Sequence, residues 1–152
     1  MTANITLKRE EILFDIMNRS HSECANITDV EARYRAEAGS DRKELIGRLL
    51  GEATSELKSA ISRWLTDEFS RTGNDIPEDG DVTLQMELSQ RRIDGKVPAL
   101  KERAHAYLVE RTLFRFYATA GQPELSTAYQ RRSEDSIAAI ERIMFSKKQP
   151  MI

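Results

Sequence analysis

Cysteine occurs once in the 152 residues, at Cys24, and histidine twice, at His21 and His105. A single thiol excludes an intrachain disulfide and removes any need for an oxidising compartment. Two isolated histidines exclude a zinc site of the usual paired-ligand spacing. His21, Glu23 and Cys24 lie close together in sequence, but a solvated trio is the simpler reading, and His105 reads as a boundary residue on a helix. No apolar run approaches the roughly 18 residues of a membrane span. The start, MTANITLKREE, is charged where a signal peptide would be apolar. The expectation is therefore a cytoplasmic pool with no membrane partner.

Catalytic signatures are missing too. There is no GxSxG elbow, no cysteine in a nucleophilic context and no glycine motif that would cradle phosphate. Carboxylate pairs occur at Glu10–Glu11, Asp67–Glu68 and Glu134–Asp135, each on a polar face where solvation and helix-surface ion pairing explain them. No catalytic residue, metal site or cofactor is expected, and the chain reads as a non-enzyme.

What is present is charge and helical period. Charged residues make up 32 % of the chain and apolar ones 39 %, with a net charge of −2. That balance argues against a dedicated nucleic-acid binder. The charge is uneven: residues 67–81 carry six acidic side chains against one arginine, and from Lys96 onward ten basic residues face six acidic ones. The length suits a single domain, 1–152, with a core of its own.

The strongest pattern lies at residues 41–69. Leu45, Ile46, Leu49, Leu50, Ala53, Leu57, Ala60, Ile61, Trp64, Leu65 and Phe69 recur at three- and four-residue steps without a proline. This predicts a central helix about 40 Å long at ~1.5 Å per residue, opened by Asp41 and Glu44. A second strip on the same segment is small: Gly47, Gly51, Ser55, Ser59 and Ser62. Two glycines inside a helix suggest a packing reason. Another helix, from this chain or a neighbouring copy, could approach there; a solvated serine-rich face is the alternative.

Before it, Thr6 is expected to cap a helix LKREEILFDIMNR, with Leu7, Ile12, Leu13, Ile16 and Met17 inward and Phe14 beside them. Thr28 and Glu31 form a capping-box pattern for a short helix stopped at Gly39, with Val30 and Tyr34 on one side.

After it, the helical period vanishes into a long acidic loop, and the insertion spans residues 70–95. Within VTLQMELSQ, Val82, Leu84, Met86 and Leu88 alternate with polar residues, which predicts one short β-strand or a hairpin near 82–93. Such a strand must pair with residues 91–93, with a terminus, or with the sheet edge of another copy. A helical reading of the stretch is the alternative. Asp94-Gly95 reads as a turn and Pro98 as the first residue of a helix that Gly121 ends. Pro123 opens the last helix, with Leu125, Ala128, Tyr129, Ile137, Ile140 and Met144 inward. Lys147 and Lys148 suit that helix's negative end and Pro150 stops it. A connection this short predicts an antiparallel helical hairpin over 98–145. The expected class is mainly α: a helical bundle with a small β element.

Arg91-Arg92, Arg111 with Arg115, and Arg131-Arg132 stand near Phe114 and Tyr117, so a small helical module that binds protein or nucleic acid in a regulatory role is one functional reading.

The other comes from the order of features. SQRRIDGKVPALKERAHAYLVERTLFRFY leading into AYQRRSEDSIAAIERI, after EILFDIMNRS, a long helix and an acidic loop, resembles the small helical head–tail connector, adaptor or head-completion proteins of tailed phages and prophages. The resemblance is strongest over residues 82–145. It rests on Val97-Pro98, the Ala104/Tyr107/Leu108 stripe, Arg115-Phe116-Tyr117 and the Tyr129 helix with Ile137 and Ile140. It implies a non-enzymatic homo-oligomeric ring between portal and tail, built into the virion, with itself and those phage proteins as partners and packaged DNA as a possible contact. Gly47, Gly51, Ser55, Ser59, Ser62, Val82, Leu84, Met86, Leu88, Arg91 and Arg92 are the candidate interface residues under that reading.

Overall fold

The computed structural model describes residues 2–66, 80–88 and 93–145. The order is β1 (Thr2–Leu7), α1 (Arg9–Cys24), α2 (Val30–Ala36), α3 (Lys43–Ala60), β2 (Val82–Glu87), α4 (Ile93–Thr119) and α5 (Pro123–Phe145). Short 3-10 turns at Ser40–Arg42 and Ser62–Trp64 flank α3. The chain is mainly helical with a two-stranded antiparallel sheet, as its periodicities predict.

Alternation in VTLQMEL does produce a strand, and its partner is the N-terminus. Thr2 pairs with Glu87, and the register runs through Ile5–Leu84 to Leu7–Val82. Ala3, Ile5 and Leu7 face inward with Val82, Leu84 and Met86, while Thr2, Asn4 and Thr6 face solvent. The opening residues are therefore a strand and not the first turn of a helix. Thr6 caps nothing; Lys8 is the N-cap residue of α1 and its side chain makes no cap bond. Asp81 supplies the bond instead, its Oδ1 accepting from the Arg9 backbone N–H at 3.0 Å. A carboxylate at a helix start is favourable both as acceptor and against the helix dipole.

The predicted central helix is shorter than its apolar period. α3 ends at Ala60; Ile61 and Leu65 stay buried, but across a 3-10 turn rather than a helix, and residues 67–69 lie outside the described residues. Leu65 adopts extended backbone because it forms a β-bridge to Met86, and the Thr66 N–H donates to the Gln85 carbonyl at 3.1 Å. β2 is thus hydrogen-bonded along both edges. That tertiary pairing overrides helix propensity, since an unsatisfied strand edge in the core would cost more than one lost helical turn.

The element around which the bundle is built is α4. Its 27 residues are about 40 Å long at ~1.5 Å per residue and pack against α1, α3, α5 and β1. Leu100, Ala104, Tyr107, Leu108, Val109, Leu113, Phe116 and Tyr117 are all buried along it, in one apolar cluster with Ile46, Leu50 and Leu57 of α3. The helix begins at Ile93, so the expected turn at residues 94 and 95 is helical and Pro98 lies inside it. Proline removes one i to i−4 bond there. At this end Lys96 Nζ donates to the Ile143 carbonyl of α5, fastening the start of one helix to the last turn of the other.

The α4–α5 hairpin forms as predicted. Gly121 takes φ +74°, and the Gln122 N–H returns to the Tyr117 carbonyl at 2.9 Å. Only glycine adopts that left-handed cap freely. The buried face of α5 is rotated from expectation: Ser126, Ser133, Ser136 and Ala139 are buried beside Tyr129 and Ile140, while Leu125, Ala128, Ile137 and Met144 are half-buried. Ser126, Tyr129, Ser133, Ser136, Ile140 and Ile143 repeat at alternating three- and four-residue steps, so small side chains allow α4 to approach closely. The serine hydroxyls are satisfied: Ser126 Oγ donates across the hairpin to the Phe114 carbonyl of α4 at 3.0 Å, and Ser133 Oγ donates within α5 to the Gln130 carbonyl at 2.7 Å.

Residues 28–39 fold into a shorter helix than its capping pattern suggests. Asp29, not Thr28, is the cap, its Oδ1 accepting from the Glu31 N–H at 3.1 Å. The helix stops at Ala36 rather than Gly39 because the Ala38 N–H donates to buried Ser20 Oγ at 2.7 Å.

Candidate docking groove and surface

The sequence-predicted interface residues separate into three groups. Val82, Leu84, Met86 and Leu88 are buried in the chain's own core, and the strand that carries the first three pairs within the chain; they are not offered to another copy. Among the described residues Gly51 is open, with nothing within 4 Å of where a side chain would start, and Ser55, Ser59 and Ser62 are exposed. Gly47 is covered by the Arg9 guanidinium, which lies 2.7 Å from the corresponding position. Ser62 belongs to the 3-10 turn, so the exposed strip is not one continuous helix face. Arg91 and Arg92 lie outside the described residues, as do Lys147, Lys148, Pro150 and the Asp67–Glu68 pair.

Arg111 and Arg115 of α4 are engaged. Arg111 Nε donates to Glu56 Oε2 at 2.8 Å, and Arg115 pairs with Glu56 and, at 3.4 Å, with Glu52. Arg132 approaches Glu23 at 3.9 Å with its guanidinium 4.7 Å from the Tyr129 ring centroid. Arg131 is exposed.

The trio of His21, Glu23 and Cys24 is pulled three ways. His21 pairs with Glu37 in solvent, Glu23 accepts from the Tyr129 hydroxyl at 3.0 Å, and Cys24 is buried with its thiol directed at the Ala36 carbonyl. Burial pushes the Cys24 thiol up, which disfavours the reactive thiolate. Burial, with Glu23 alongside, likewise pushes the Tyr129 phenol up to about 12. Among the described residues no group of histidine, cysteine and carboxylate side chains has the geometry to hold a metal ion. None of the described helices is long and apolar enough to cross a membrane.

Sequence reading missed a groove between α1 and α4. It has a volume of about 640 Å³ and a mostly apolar lining that includes Phe14 and Pro98. Phe14 is 68 % exposed, the fate of a residue just off the Ile12/Ile16 face. Glu10, Glu11 and Glu102 stand around the groove, with Lys101 as the single lysine. Across it His105 Nε2 lies 2.6 Å from Asp15 Oδ2, tying α4 to α1. No local pattern could reveal this site, because its two walls are about 90 residues apart in sequence.

One further group stands out beneath the surface. Glu110 is only 7 % exposed at the α4–α5 interface, and the Ser136 hydroxyl, 3.2 Å from both carboxylate oxygens, is its hydrogen-bond partner. Burial raises its carboxyl above the usual range, although Ser136, Arg19, Arg132 and Arg103 oppose the shift.

No protein-family model matches the chain, no curated protein matches its sequence, and no solved structure matches its fold.

Proposed function

We propose that the chain is a non-catalytic assembly protein, a head–tail connector or neck or tail-completion component of a tailed phage or prophage, working as a homo-oligomeric ring between portal and tail. The observation that carries this reading is the two-sided character of α3. Its Ile46, Leu49, Leu50, Ala53 and Leu57 face is buried against the bundle, while Gly51, Ser55 and Ser59 are open on the other side. A helix with a satisfied inner face and the small residues Gly51, Ser55 and Ser59 on its outer face, interleaved with the exposed Glu44, Arg48 and Glu52, suits approach by a second copy. The likeness over residues 82–145 supports the same reading, since that stretch includes β2 and the α4–α5 hairpin. Host cytoplasm would hold the free pool before incorporation into the virion. The intrachain pairing of Arg111, Arg115 and Arg132 speaks against the nucleic-acid-binding alternative, because those cations already face carboxylates.

Light scattering behind size-exclusion chromatography over a concentration series, with electron microscopy after mixing with a portal, tests the proposal. Discrete higher-order species, or decoration of the portal, is the expected result. Gly51→Leu should abolish it without lowering the melting temperature, because the position is helical and open among the described residues. A strict monomer that ignores the portal would overturn the assignment.

A further inference from the structure

We infer that the α1–α4 groove docks a basic segment of a partner protein that inserts one apolar side chain beside Phe14. The inference is independent of the phage assignment and rests on the groove alone.

Three observations point the same way. First, Phe14 is 68 % exposed in a concavity of about 640 Å³ whose lining is mostly apolar. An uncovered phenyl forgoes the gain that burial would bring. Set beside Pro98 in a concavity and ringed by polar groups, the phenyl offers an anchor point for an apolar side chain. Second, the ring is of one sign. Glu10, Glu11 and Glu102 have no ion-pair partner among the described residues. Asp15 is bonded to His105, leaving Lys101 as the single opposing lysine. Third, the floor is held in place. The Asp15–His105 bond at 2.6 Å and the buried Ile12, Ile16 and Ala104 behind it fix α1 against α4, so the groove is present before anything binds.

The chemistry selects the occupant. Three carboxylates without an ion-pair partner among the described residues repel a phosphate backbone or an anionic lipid surface. A second copy offering the same face would bring acid onto acid, as a two-fold contact must. The described carboxylates do not converge on a metal. A cationic segment with an apolar anchor satisfies both halves of the site: its lysines or arginines meet Glu10, Glu11 and Glu102, and its apolar side chain covers Phe14.

The experiment uses the full chain, 15N-labelled, titrated with a synthetic amphipathic peptide of lysine and leucine about 14 residues long. A charge-reversed peptide, glutamate for lysine, is the control. Binding should move the amide signals of Glu10, Phe14, Lys101 and His105 first. It should weaken about tenfold in the Glu10→Lys/Glu102→Lys variant and several-fold as salt rises from low to physiological levels. Phe14→Ser should weaken it about tenfold without lowering the melting temperature, since that side chain is exposed. Equal binding of the acidic peptide, signals moving elsewhere, or no binding at all would overturn the inference. So would movement of the groove signals on deleting residues 146–152 with no peptide present, because the chain's own Lys147 and Lys148 would then be the occupant.

Discussion

Replacing Glu110 by glutamine should stabilise the protein at neutral pH and do nothing at acid pH. The carboxylate can accept about four hydrogen bonds, yet among the described residues Ser136 Oγ is its one hydrogen-bonding side chain and the group is 7 % exposed. An under-satisfied buried polar group costs about 1–3 kcal/mol, more when charged. Glutamine keeps the shape, accepts from Ser136 and carries no charge, but brings two donors that need partners. A net gain of about 1 kcal/mol at pH 7.5 is the expected balance. For a chain of this length that raises the melting temperature by about 2–4 °C.

The pH dependence follows from the direction of the shift. Burial raises the folded-state carboxyl above its unfolded value, which is near 4.3 for glutamate. The folded protein therefore holds this proton more tightly. The stability it contributes is present below the unfolded value and is lost as pH rises through the raised folded one. The glutamine variant lacks that loss, so its advantage should be near zero at pH 4 and grow to a plateau above the raised value. Paired urea titrations of parent and variant at pH 4.0 and 7.5 measure it, and other titrating groups cancel in the difference. A variant less stable than the parent at pH 7.5 would show that Arg19, Arg103 and Arg132 stabilise the charge more than burial penalises it. An equal gain at both pH values would remove ionisation from the explanation.

Four further outcomes are expected. Gly51→Ala should add about 0.5–1 kcal/mol by thermal melting, since the position is helical and empty; a loss would mean that the strip is packed after all. Leu84→Ala should cost about 2–5 kcal/mol in urea, because the side chain is 1 % exposed at the sheet–helix interface. Glu56→Gln should cost about 1–2 kcal/mol by weakening the acceptor shared by Arg111 and Arg115, and a double-mutant cycle with Arg111→Ala should return a non-zero coupling. Asp81→Ala should cost about 0.5–1 kcal/mol through loss of the bond to the Arg9 N–H, read by the same denaturation assay.

Local pattern was a good guide wherever local physics decided the outcome. The alternation of Val82, Leu84 and Met86, the Gly121–Pro123 helix junction and the Leu49/Leu50/Leu57 stripe all correspond to observed elements. It failed where a distant segment intervened. Residues 2–7 carry a faint alternation, Ala3, Ile5, Leu7, that becomes decisive only because β2 lies beside it. The helical period through Ile61 and Leu65 is real, but Leu65 is taken by Met86. Ser126, Ser133 and Ser136 sit at core positions because a close helix approach wants small side chains, a demand invisible until α4 is in place. The groove was hidden for the same reason: Phe14 and Glu102 mean little until Asp15 and His105 meet. The strip on α3 and the groove are both surfaces, and sequence period reports burial far better than it reports what a surface is for.

The pairing of the first residues with those near 82–87 has a consequence for synthesis. On a ribosome the β1 strand leaves the exit tunnel well before its partner exists, since Leu7 pairs with Val82. At translation rates of ~5–20 residues per second, about 75 further residues take on the order of 4–15 s to be made. Throughout that interval Ala3, Ile5 and Leu7 have no sheet to join, and α1 and α3 lack α4 to cover them. The nascent chain is a set of amphipathic pieces that closes late, when one long helix arrives and gathers strand and helices together. Slowing translation before residue 93 should therefore lengthen the time the chain is prone to aggregate or bind chaperones.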